Sequence, residues 1–176
     1  SPTVTLRGSL LVASPTLLEP IFHRAVILLL EHDGEGSFGV ILNLESDESV
    51  ADHLPDWTEA VAGAGMIHIG GPVEPSVGLA LAPARPGTPA DLPGLARVDL
   101  EAPPDASMSS VRVYSGYSGW GPGQLESELE EGAWYVVPAA PDDPFDDPTD
   151  QWSRVLRRQP GKLAMMATFP DDPGLN

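Results

Sequence analysis

This chain of 176 residues has no cysteine, a single lysine and no long apolar run, and its nine basic residues stand against 26 acidic ones. Without thiols there is no disulfide, thiolate nucleophile, zinc–thiolate site or iron–sulfur cluster, and a reducing cytoplasm is the simplest address. The longest unbroken aliphatic stretch, Ala25 to Leu30, falls far short of the ~20 residues a membrane-crossing helix needs. No basic start, apolar stretch and small-residue cleavage site follow one another in the first thirty residues, so no signal peptide is expected. The lone Lys162 is followed by Leu163, which excludes a phosphate-binding G-x-x-x-x-G-K-[ST] loop, and there is no H-E-x-x-H zinc motif. Basic residues are so scarce that the net charge is −17. Such a surface repels a polyphosphate and disfavours direct nucleic-acid contact.

What is present is enough apolar sequence for one core, since a chain of this size buries roughly 69% of its unfolded surface. Residues 1–176 therefore read as a single domain without repeats or linker. Short aliphatic runs predict strands at Gly8–Ala13, Ala25–Glu31, Phe38–Leu44, Met66–Ile69, Gly78–Ala82, Arg97–Leu100, Val111–Tyr117 and Ala133–Val137. Ala25–Glu31 shows no polar alternation and predicts a central strand covered on both faces. Asp33–Gly36 predicts a hairpin turn into the next strand. Val111–Tyr117 alternates as a half-buried strand does. Helices are predicted from Ser46 as cap with Pro55 as stop, from Gly121 as cap with Pro122 first, and from Asp147-Pro148 through Gln159. Four prolines and two glycines between Pro83 and Leu95 predict a surface loop at 83–95. Strands outnumber helices, so the fold class is α+β with a mixed, largely antiparallel sheet.

Most motif-like features have structural explanations. Gly34-Glu-Gly36-Ser-Phe-Gly39 matches G-x-G-x-x-G but leads into a strand, so it reads as a turn and implies no dinucleotide cofactor. Four histidines stand at 23, 32, 53 and 68 without ligand spacing, and no metal site is expected. Asp142 to Asp150 holds five aspartates, read as a solvated acidic loop at 142–150. Arg154, Arg157, Arg158 and Lys162 follow it and compensate its charge.

The segment Ser115-Gly-Tyr-Ser-Gly-Trp-Gly-Pro-Gly-Gln124 is different, with four glycines and two aromatics running into a helix start. Free amides there favour an anion or carbonyl oxygen; alternatively, the aromatics anchor the core and the glycines permit a tight crossing of chains.

At these residues the chain resembles the bacterial YqgE/AlgH family, whose signature reads G-Y-A-G-W-G-P-G-Q-L-E. The similarity extends to Leu11–Phe22, to Glu31-His32 with Gly39-Val-Ile-Leu-Asn43, and to Gly70-Gly-Pro-Val73. It implies a strongly curved, partly barrel-like sheet flanked by helices in a bacterial cytoplasmic protein. One branch of the family is named for regulating alginate synthesis. This chain departs from the pattern at Leu44-Glu45, commonly Lys-Pro, at Ser118, usually alanine, and at Gly174-Leu-Asn176, which replaces a G-x-A-N ending. The functional expectation is a non-enzymatic regulatory or interaction protein acting through a protein partner or small ligand. The alternative is a small-molecule-binding protein or enzyme with a pocket at the Tyr117–Gln124 loop. The candidate ligand-binding residues are Tyr117, Trp120, Gly121, Gly123, Gln124, His32 and Asn43.

Overall fold

A computed structural model describes residues 5–87, 90 and 92–170. The 174–176 ending and residues 88, 89 and 91 of the proline-rich connection lie outside them. The described residues form a nine-stranded sheet curled into a half-barrel, with a few helices. The strands are β1 (Leu10–Ala13), β2 (Val26–Asp33), β3 (Gly36–Ile41), β4 (Glu45–Ser49), β5 (Met66–Ile69), β6 (Val73–Pro83), β7 (Leu95–Val98), β8 (Arg112–Trp120) and β9 (Trp134–Val137). Their order is β4-β5-β8-β3-β2-β1-β9, with β6 pairing β8 and β7. Of the pairings, only β5 with β8 is parallel among the described residues. The architecture is the mixed, largely antiparallel α+β sheet expected.

β2 explains its own composition. Val26, Leu28 and Leu30 point into one apolar cluster with Val40, Tyr114, Trp152 and Leu156, while Ile27 and Leu29 point into another with Ile41, Trp120, Leu125 and Trp134. Both faces are thus covered, and an unbroken Val/Ile/Leu run is what such a strand requires. A register shift between Leu29 and Glu31 then re-phases the strand, placing His32 opposite Ser37. The first cluster is closed by α3 (Gln151–Arg157) and α4 (Lys162–Met166), the second by α2 (Gln124–Glu130). A third cluster, with Trp57 and Val113, packs beside the short α1 (Val50–His53).

Several local expectations are corrected. Glu45–Ser49 is a strand: the Ser46 hydroxyl donates across to the Ile67 carbonyl at 2.6 Å, and Ser49 caps α1 by accepting from the Asp52 amide. Gly123 rather than Gly121 is the N-cap of α2, because its φ of 74° turns the chain after β8. Asp147 accepts from the Thr149 amide in a turn, which leaves Asp150 as the N-cap of α3, and the chain forms α4 beyond Pro160. β6 is longer than Gly78–Ala82, β3 ends at Ile41, and β7 is Leu95–Val98 rather than Arg97–Leu100.

β8 departs most from expectation. It runs through Trp120, so the first half of the supposed Tyr117–Gln124 loop is strand. Its start is covered on both faces, with Arg112 and Tyr114 buried like Val111 and Val113, and beyond it the face of Ser115, Tyr117 and Gly119 opens. The buried polar groups are satisfied by carbonyls. Arg112 donates to Pro144 at 3.0 Å and to Asp146 at 2.7 Å, and the Tyr114 hydroxyl donates to Pro144 at 3.1 Å. Alternation identifies strand phase, but the 140–148 segment folding over the polar face is a tertiary event.

Candidate functional site

The end of β8 delivers Trp120 beneath α2, and its partner in the adjoining corner is Trp134 at the start of β9. Their rings lie 6.0 Å apart at 80°, and Phe22 meets Trp134 at 5.7 Å and 78°. These edge-to-face contacts fix the corner. Glu128 of α2 locks it. One carboxylate oxygen accepts both indole N–H groups, from Trp120 at 3.1 Å and Trp134 at 2.9 Å, and the other accepts from the Gln124 amide at 2.9 Å. Gln124 in turn accepts from the Gly121 backbone N–H at 3.0 Å, tying the helix start to the strand end. Around this constellation lies a cavity of about 290 Å³ whose lining includes Phe22, Trp120, Trp134, Glu19, Glu128 and Glu131.

The sequence-level candidates do not converge on one place. Trp120 and Gln124 line this cavity. Tyr117 and Gly121 line a separate cleft of about 580 Å³ with Phe38 and Val73, to which Trp120 also contributes, and the Tyr117 ring packs on Phe38 at 5.7 Å. Gly123 caps α2, and a Cβ there would meet nothing within 4 Å. Asn43, just beyond the far end of β3, holds the turn before β2: it accepts from the Val26 amide and donates to the Arg24 carbonyl, each at 2.9 Å. The glycines divide by role. Gly116, with φ of 70°, lets β8 pass the Gly71 backbone, and a Cβ would lie 2.6 Å from the Gly71 oxygen. Around Gly119, Gly121 and Gly123 there is room.

His32 and Ser37 face one another across β2 and β3, near Glu126, a grouping whose members match a serine–histidine–carboxylate set. The hydrogen bonds give it a different role. His32 Nδ1 accepts from the Leu6 amide at 2.8 Å, so the neutral ring carries its proton on Nε2, which lies 3.7 Å from the Glu126 carboxylate. No basic nitrogen is left to take a proton from Ser37. With Thr5 Oγ1 donating to its carbonyl at 3.0 Å, His32 straps the 5–6 segment to β2.

A second buried histidine, His68, sits on β5 beside Tyr114, ring centroids 5.8 Å apart. Burial, and then the Arg112 cation, push its pKa down to about 4, so it is neutral at pH 7. Two of the five aspartates of the acidic segment are paired with arginines. Arg158 makes two bonds to Asp143, at 2.7 and 2.6 Å, and Arg154 reaches Asp146 at 3.2 Å. The cavity residues that sequence reasoning missed include Glu19, Phe22, Glu128, Glu131 and Trp134. The one signal for Glu128 was its place a helical turn after Gln124. The meeting of Trp134 with Trp120 depends on strand order and left no trace in sequence.

The half-barrel and its signature-bearing β8–α2 connection define a recognisable class. The model of the AlgH-like family, DUF179, matches residues 10–164, and the chain belongs to that family. A UPF0301 protein of Streptomyces coelicolor is 49% identical, the alignment covering 98% of this chain and 96% of that protein. A UPF0301 protein of Mycobacterium avium is 45% identical over 94% of this chain and 88% of its own length. Among solved structures, a Corynebacterium diphtheriae protein superposes with a TM-score of 0.88 at 32% identity, covering 96% of this chain and 95% of that one. The AlgH protein from Pseudomonas aeruginosa superposes with a TM-score of 0.68 at 28% identity, covering 96% of both chains.

Proposed function

We propose that this AlgH-like protein is a non-enzymatic binding protein of the cytoplasm, serving regulation or assembly through a ligand held in the cavity beside Trp120. The observation that carries the reading is the three-way lock on Glu128, which holds two indoles and the start of α2 around a concave space. Fixing those side chains in advance lowers the ordering cost of capture. The engagement of His32 Nδ1 by the Leu6 amide, which leaves the ring no free basic nitrogen, supports a non-catalytic role. The test is an NMR titration of ¹⁵N-labelled protein, whose four tryptophans provide indole reporters. A panel of cationic, neutral and anionic small molecules is expected to contain one that moves the Trp120 and Trp134 indole signals together and leaves those of Trp57 and Trp152 in place. A panel that leaves the first pair unmoved, or that shifts only the second pair, overturns the proposal.

A further inference from the structure

Resting on that reading, we infer that the cavity between Phe22, Trp120 and Trp134 takes a small organic cation, an alkylammonium or guanidinium head group. Its lining supplies three carboxylates, Glu19, Glu128 and Glu131, and no basic side chain. None of the three is ion-paired with a lysine, arginine or histidine among the described residues. Glu128 is the decisive member. Both its oxygens act as acceptors from neutral donors, the pattern of a carboxylate anion, so its position is fixed while its charge stays uncompensated. A negative charge held at the edge of an aromatic corner favours a weakly hydrated cation. Such an ion gains from the ring electrons and loses less water than sodium or potassium does.

Larger clefts are already served by cations of the chain itself: in the cleft of about 580 Å³, which also sets carboxylates beside aromatic rings, Arg97 holds Glu31 at 2.6 Å and lies over the Phe38 ring. In one of about 630 Å³, Glu48 faces its own His53 at 3.6 Å, and in one of about 670 Å³, Arg85 pairs with Asp105 at 3.2 Å. In each, a basic side chain of the chain itself already stands at a lining carboxylate. At about 290 Å³ the aromatic cavity is near the lower end of ligand-site volumes, which suits a head group rather than an extended molecule.

The experiment compares choline with its uncharged carbon isostere, 3,3-dimethylbutan-1-ol, by the same indole titration at constant ionic strength. Fixed salt holds the general attraction of a chain of net charge −17 screened and constant, and Glu128→Gln, which changes that charge by only one, separates it from the contribution of the site. Choline is expected to bind about tenfold more tightly than the isostere. Glu128→Gln keeps an oxygen for the two indoles and is expected to erase that preference, and the exposed pair Glu19→Gln with Glu131→Gln to reduce it several-fold. Methylguanidinium and acetyl-arginine amide form a second arm. Tighter binding of the free cation points to a metabolite, and of the capped residue to an arginine presented by a partner chain; either supports the inference. Equal affinity for choline and isostere overturns the cation assignment while leaving the binding proposal standing. Absence of any indole response to all four probes and to the wider panel overturns both.

Discussion

At the scale of single residues, Gly116 and Gly123 separate two reasons for glycine that a sequence shows identically. Both have positive φ, 70° and 74°. Only Gly116 also faces backbone. Gly123→Ala is expected to cost about 1–2 kcal/mol, the strain of a left-handed residue with a Cβ. Gly116→Ala adds overpacking against Gly71 and is expected to cost roughly 2–5 kcal/mol. Urea denaturation of the two variants checks this, and equal losses would mean that the chain crossing is not tight. His68 provides a pH test at the same scale. Its pKa falls from 6.5 unfolded to about 4 folded, so between these values the unfolded chain binds more protons. The stability His68 permits is intact above pH 6.5 and declines as pH drops toward 4, by roughly 3 kcal/mol. His68→Phe is expected to flatten that part of the stability curve relative to the parent protein, and parallel curves would refute the assignment.

At the scale of elements, legibility followed how locally each element is determined. Strands such as β1 and β2 were readable because an aliphatic run bounded by turn residues has few other uses. Helix starts were misplaced three times for one reason: Ser46, Gly121 and Asp147 are all good caps, but each side chain or turn was claimed by something nearer in space. Ser46 bonds across to β5, Gly121 is held by Gln124, and Asp147 closes its own turn. The candidate site was legible only through Trp120 and Gln124. The rest of the cavity comes from β9, α2 and the segment before β2, which only the strand order brings together. α2 is the element on which the site depends, since Leu125 is wholly buried in the cluster beneath it and Glu128 ties it to both indoles. Leu125→Ala is expected to cost about 2–5 kcal/mol. Glu128→Ala leaves two indole N–H groups without their acceptor and is expected to cost roughly 2–4 kcal/mol at about 1–2 for each. Denaturant titration measures both, and a Glu128→Ala loss below half a kcal/mol would show that the carboxylate does not hold the corner.

At the scale of the whole molecule, charge decides which partners are approachable. A net charge of −17 repels nucleic acid, and the one concentration of arginines is spent internally, Arg158 on Asp143 and Arg154 on Asp146. Hydrogen bonding to Asp143 raises the Arg158 pKa further, so this cation stays charged and committed to its partner. Arg157 alone of the three is exposed without a carboxylate in reach among the described residues. With Lys162, also exposed and without an ion pair among the described residues, this stretch offers two free cations, too few to release the several counterions that a stable duplex complex requires. In a fluorescence-anisotropy titration with duplex DNA at physiological salt, no appreciable binding is therefore expected. The informative control weakens the internal pairing: Asp143→Asn frees Arg158 and lowers the net negative charge by one, and binding should still be absent because the surrounding field is unchanged in sign. Micromolar binding by the parent protein that weakens with salt and disappears in Arg157→Ala would mean that local charge outweighs the field of the whole surface, and would replace the proposed cavity-based function with direct contact to DNA.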